Sequence, residues 1–239
     1  MRSWLVLMLV MVVVPVAQAA PGSPPPRRVL IDAGHGGSNP GARGRRIQEK
    51  DLTLALAGKV RQRLVAAGVD ARLTRERDRT MTLRQRVELA NGWPADLFVS
   101  LHGNASPTRT QRGFETFVLT PHGVDVVARA LRSDAPARRD GVAPDVARML
   151  DDVERGAAQW EAAELAAAVQ AGLRRARPGS DDRGVRQDAQ HVLLGATMPA
   201  VLVEVGFVDH PIEGVELVAP AVQDAIAAAI ADAILSQLR

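Results

Sequence analysis

The chain has 239 residues, 46% of them hydrophobic, which is enough to build one α/β domain with a proper core. It contains no cysteine, so disulfides are excluded and an exported form must hold itself by packing or by a metal. The formal net charge of +3 is arginine-driven and fits an anionic partner, while an aromatic content of 3% leaves few stacking platforms, so nucleic acid is not expected as a partner.

In chain order, MRSWLVLMLVMVVVPVAQAA opens with a positive residue, an apolar stretch and a small-residue cleavage site at Ala17-Gln18-Ala19. This layout predicts a secretory signal over 1–19 and export to the periplasm or beyond; the apolar run is shorter than the roughly 20 residues of a spanning helix. No stable membrane insertion is expected after cleavage. Residues 20–27 read as a proline-rich linker and 28–239 as the folded domain. Within that domain, strands are expected at 28–33, 69–74, 96–101, 113–119, 190–194 and 200–205. Helices are expected at 51–67, 82–91, 160–175 and 221–238, from apolar residues recurring about every fourth position. The fold class is therefore α/β: a single domain with a twisted, mixed but mostly parallel six-stranded sheet flanked by helices.

Residues 120–159 interrupt this alternation. Ser133 to Gly141 are polar and punctuated by proline and glycine. Asp145 to Glu154 turn helical again, with Val146, Met149, Leu150 and Val153 on one face that should lie on something apolar.

Three strands deliver chemistry at their tips. Residues 28–33 run into His35, 96–101 into His102, and Ala200-Val201-Leu202-Val203 into Glu204. Ligands of open α/β sheets bind outside the carboxyl ends of the strands, so these groups share one edge, joined by Glu49 from the loop that leaves the first strand. Two histidines and a carboxylate suit zinc, which takes three protein ligands in hydrolytic sites and leaves a fourth position open. A further carboxylate there would pass a proton from water to a leaving amine. Asp32 is close enough in sequence to support the metal ligands. His122 and His210 sit in proline turns and read as solvated, whereas His191 could face the site. Neither a Gly-x-Ser-x-Gly elbow nor a cysteine nucleophile nor a phosphate-cradling loop is present.

The motifs VLIDAGHGGSNPGARG at 29–44, QEKDLTLALA at 48–57, RVELAN at 86–91, ADLFVSLHGNAS at 95–106, RGFETFVL at 112–119, DRGVRQ at 182–187 and MPAVLVEVGFVDHP at 198–211 together resemble the zinc-dependent N-acetylmuramoyl-L-alanine amidases of the third amidase family. The resemblance implies that His35, Glu49 and His102 bind one zinc ion and that Glu204 is the catalytic glutamate. It also implies hydrolysis, without a covalent intermediate, of the amide joining N-acetylmuramic acid to L-alanine in peptidoglycan. Asn104, Arg183, Arg186 and His191 are candidate substrate contacts. Because some relatives carry an inhibitory helix where 120–159 lies, that segment is a candidate cover, Glu154 a candidate blocking ligand, and a protein activator a candidate partner. The competing expectations are a zinc peptidase cutting within the stem peptide and a wall-binding module without catalysis. The blocks span nearly all of 28–239, so no separate wall-targeting domain is expected.

Overall fold

The computed structural model describes residues 27–119, 143–188 and 191–239, without the side chains of 144, 145, 147–152, 154, 155 and 191. The expected leader and His122 lie outside these residues, as do the linker apart from Arg27 and the expected loop before Asp145. Among the described residues, six strands form one sheet: β1 (Arg28–Ala33), β2 (Asp70–Leu73), β3 (Leu97–Asn104), β4 (Phe114–Val118), β5 (Asp182–Gln187) and β6 (Ala200–Phe207). Their spatial order is β2-β1-β3-β6-β4-β5. Only the β4–β6 pair is antiparallel, so the sheet is mixed and mostly parallel, as expected.

Alternation along the central strands sends side chains to two different layers. Val29, Ile31, Val99, Leu101, Val201 and Val203 pack against α1 (Glu49–Ala66), α3 (Pro144–Ala176) and α5 (Pro220–Gln237). Leu30, Phe98 and Leu202 face the other way, onto α2 (Leu83–Gly92) and a 3₁₀ turn at His191–Leu193. Helix α1 buries Leu52, Leu56, Val60 and Leu64 completely, a row that stabilises by about 1.5–3 kcal/mol per side chain. Helix α2 starts at a capping box in which Thr82 and Gln85 satisfy each other's backbone N–H. Proline occupies the first turn of α3 and of α5, where its missing N–H costs nothing. A short helix α4 (Glu213–Glu216) follows β6.

Two expectations are corrected. The edge strand is not 190–194: His191–Leu193 form a 3₁₀ turn, and the sheet edge is DRGVRQ at 182–187. Val192 and Leu193 are apolar because they fill the layer beside α2, while β5, at the rim, has no need of apolar residues on its open side. Nor is 145–154 a separate helix. It continues without a break into 160–175 as one 33-residue helix. Its outer residues Val146, Val153 and Trp160, seven apart, are exposed, Trp160 at 74%, so Val146 and Val153 do not lie on an apolar surface among the described residues.

Candidate metal centre

His35 follows β1, His102 lies within β3, and Glu49 is the first residue of α1. Their ligand atoms all fall within 4.8 Å of one another. One carboxylate oxygen, Glu49 Oε1, lies 2.9 Å from His35 Nε2 and 2.9 Å from His102 Nδ1, and it also accepts the Gly103 N–H at 3.0 Å. Glu49 Oε2 accepts the Ala42 N–H at 2.8 Å. Burial works to raise the Glu49 pKa, but the hydrogen bonds from His102 and His35 more than reverse it and leave it lowered to about 2.

Hydrogen bonding fixes how His35 is presented. Its Nδ1 lies 3.0 Å from Asn39 Oδ1, and that oxygen also accepts the Gly41 N–H at 3.1 Å, which sets the orientation of the amide. Nδ1 therefore donates to Asn39, and Nε2 is turned toward the Glu49 carboxylate. A ring nitrogen and a carboxylate oxygen 2.9 Å apart share either a proton or a cation between them. A four-coordinate ion with bonds about 2.0–2.2 Å long holds its ligand atoms about 3.3 Å apart, a few tenths of an ångström from the two Glu49–histidine distances of 2.9 Å. The donor set fits a metal.

The backbone is shaped to permit this. His35 is held at φ 58°, a left-handed conformation that costs a non-glycine residue roughly 1–3 kcal/mol. Buried arginines lock it there. Arg86 donates to the His35 carbonyl at 2.6 Å and the Ala33 carbonyl at 2.7 Å while paired with Asp32 at 2.5 Å. Arg75 donates to the carbonyls of Ala33, Gly34 and Lys50 and so ties the loop to the first turn of α1. Asp32 also accepts from Thr74 and Ser100 and touches no metal ligand directly; its support passes through Arg86. Gly34 leaves room for the other imidazole, since a Cβ there would stand 2.6 Å from His102 Cε1 and Nε2.

Glu204 stands beside this group, level with His102 across β3 and β6. Its Oε2 is buried with no hydrogen-bond partner among the described residues. Burial pushes its pKa up to about 7; His102 opposes this, and the charges of Glu49 and Glu115 add to it. A carboxyl poised near neutrality beside a metal-type donor set is equipped to accept and return protons.

Asn104 donates to Glu115 at 2.6 Å and accepts the Ala105 N–H, so its amide is engaged within the protein. Arg183 and Arg186 both pair with Glu115, at 3.1 and 2.6 Å. The side chains of His191 and Glu154 lie outside the described residues. His210 lies in a turn, as expected, and is half-buried; its Nδ1 accepts the N–H groups of Ile212 and Glu213 at the start of α4. Arg75, Arg86 and Glu115 carry site geometry that the sequence analysis did not assign. Of these, Glu115 alone has a visible sequence signal, an acidic residue between Phe114 and Thr116 in a strand-forming run.

Comparison with known proteins identifies the family. The family profile described as N-acetylmuramoyl-L-alanine amidase matches residues 29–236. The chain is 35% identical over 218 residues to N-acetylmuramoyl-L-alanine amidase AmiA of Salmonella typhimurium, covering 88% of this chain and 75% of AmiA. Among solved structures, the catalytic domain of the amidase CwlV from Bacillus (Paenibacillus) polymyxa superimposes with a TM-score of 0.64 at 31% identity, over 89% of this chain and 98% of that one. The CwlD amidase of Clostridioides difficile, in complex with the GerS lipoprotein, gives 0.70 at 26% identity over 89% and 98%. The chain belongs to the N-acetylmuramoyl-L-alanine amidase family, hydrolases that act on peptidoglycan in cell-wall remodelling.

Proposed function

We propose that the chain cleaves the amide between the lactyl group of N-acetylmuramic acid and L-alanine with one zinc ion held by His35, Glu49 and His102, and that Glu204 handles the proton. The observation that carries this reading is the single Glu49 oxygen shared by two histidine nitrogens, with Glu204, one of whose oxygens has no partner among the described residues, level with His102. When bound, zinc polarises the scissile carbonyl and makes water a better nucleophile. Glu204 takes a proton from the attacking water and returns it to the leaving amine of L-alanine. Asn39 keeps His35 in the tautomer that frees Nε2, and Gly103 N–H and Ala42 N–H hold the Glu49 carboxylate in place. Incubation with purified peptidoglycan, with and without chelator, tests the reading. New alanine N-termini that disappear on chelation support it, and new termini within the stem would replace it with a peptidase.

The proposal extends to export, supported by the leader-like residues 1–19; no described helix is long and apolar enough to cross a membrane. It extends also to a protein activator, on the analogy of CwlD with GerS, and to a covering role for 120–159 with Glu154 as its blocking ligand. Deletion of residues 134–156 tests the cover: activity on isolated wall rises if the segment shields the site and stays level or falls if it does not.

A further inference from the structure

One rung of the sheet carries charge across four strands. His102 on β3 is level with Glu204 on β6, Glu204 is level with Glu115 on β4, and beyond Glu115 lie Arg183 and Arg186 on β5. Directly opposed antiparallel residues have Cβ atoms about 4.5–5.5 Å apart, and like charges in that relation are destabilising. Two adjacent carboxylates, one of them 4% exposed, are therefore an arrangement that stability alone would not favour.

The edge strand is distorted to reach this rung. Residues three apart on a regular strand point to opposite faces. Here Phe114 pairs with Asp182 and Thr116 with Val185, so three steps on β5 match two on β4. That bulge, with Gly184 at φ 81°, turns Arg183 and Arg186 onto one face and one carboxylate. Each guanidinium meets Glu115 through Nε. The Nη1–Nη2 edge, the fork that takes a carboxylate with two parallel hydrogen bonds, is not spent on Glu115. Arg186 is 48% exposed at its side chain, and the pair leaves one net positive charge.

The geometry points to Glu115 as a positioning residue that holds Arg183 and Arg186 as a clamp for a free carboxylate of the stem peptide, one residue beyond the L-alanine of the scissile bond. This rests on the amidase reading. Adjacent strands lie about 4.8 Å apart. The guanidiniums reach back to β4, so a carboxylate on their outer edge sits roughly 7–8 Å from Glu204, the span of about two extended residues. The second residue of a stem is a glutamate joined through its side chain, whose α-carboxylate is either free or amidated. The clamp distinguishes these two forms.

The test compares kcat/KM on two N-acetylmuramoyl peptides that differ only in an α-carboxylate or an α-carboxamide at that residue. The wild-type protein should prefer the carboxylate by about tenfold or more, the scale of one charge-assisted hydrogen-bonded pair, with the difference in KM. In Glu115→Gln, and in Arg186→Gln should that variant fold poorly, the ratio should fall toward one. A structural role for Glu115 would lower both rates and leave the ratio intact. A wild-type ratio near one, or a ratio that survives both substitutions, overturns the clamp. If neither peptide is hydrolysed, the amidase reading fails instead, and the ratio of the two dissociation constants by calorimetry decides the clamp separately.

Discussion

The two sides of Glu204 are built in opposite ways. On the β1–β3 side, Glu49, Asp32, Arg75 and Arg86 are buried and hydrogen-bonded to backbone or to one another, and a strained His35 is held by this scaffold. On the β4–β5 side, two partly exposed arginines gather around Glu115 at a bulged sheet edge. The first side is held rigidly by buried hydrogen bonds, which suits the proposed metal; the second keeps its guanidiniums partly exposed, which suits the proposed recognition of substrate. Glu204 belongs to neither set, and one of its oxygens has no partner among the described residues.

The largest expected effect falls on that intermediate residue. Glu204→Gln should lower hydrolysis by about 10² to 10⁴-fold, the usual worth of general acid–base catalysis, measured as release of stem peptide from wall. A smaller loss would move the proton-handling role to another group.

Burial of Glu204 has a stability consequence whose sign is set by its raised pKa. The folded protein binds the proton more tightly than the unfolded chain, so stability is full below about pH 4.5 and is lost as pH rises through about 7. That gap corresponds to about 3 kcal/mol at pH 8. In metal-free protein, Glu204→Gln should therefore raise the melting temperature at pH 8 and leave it nearly unchanged at pH 4. Glu49 runs the other way: its lowered pKa contributes stability above about 4.5 that disappears as pH falls toward about 2. Equal shifts for Glu204→Gln at both pH values would mean that its carboxylate is solvated or paired.

On the metal side, Gly34→Ala should weaken metal binding by about 10 to 100-fold, the range seen when groups supporting a ligand are disturbed, because the new Cβ displaces His102. Equilibrium dialysis with zinc reads this directly, and unchanged affinity would show that the imidazole is not confined. The smallest expected effect is at the exposed outer face of α3, where Trp160→Ser should change stability by about 0.5 kcal/mol or less by thermal melting. A larger loss would show that Trp160 is covered by another part of the protein.

The sequence made the central strands and their tips legible because apolar runs stop abruptly at His35 and His102, and because Glu204 interrupts one. Glu49 could be placed at the same edge from its loop position, but only the family motif told it apart from Glu204 as the ligand, since a glutamate opening a helix is common for dipole reasons alone. Arg75 and Arg86 were not legible: on pattern, arginine before a turn or on a helix belongs to a solvated face, and their burial depends on carbonyls brought together by the fold. The edge strand was missed for a related reason. Asp182-Arg183-Gly184-Val185-Arg186-Gln187 has a glycine and no alternation, because its periodicity is broken by the bulge that unites its arginines. The apolar run at 191–194 looked more like a strand than the real one and serves the core instead.

The most direct test of a metal side distinct from a proton-handling residue is bound zinc, by elemental analysis, beside hydrolysis rate for Glu49→Gln and Glu204→Gln. The account predicts that Glu49→Gln loses zinc and partly recovers activity in excess zinc, while Glu204→Gln keeps its zinc and stays slow at every zinc concentration. Loss of zinc from Glu204→Gln, with Glu49→Gln fully loaded but inactive, would contradict it.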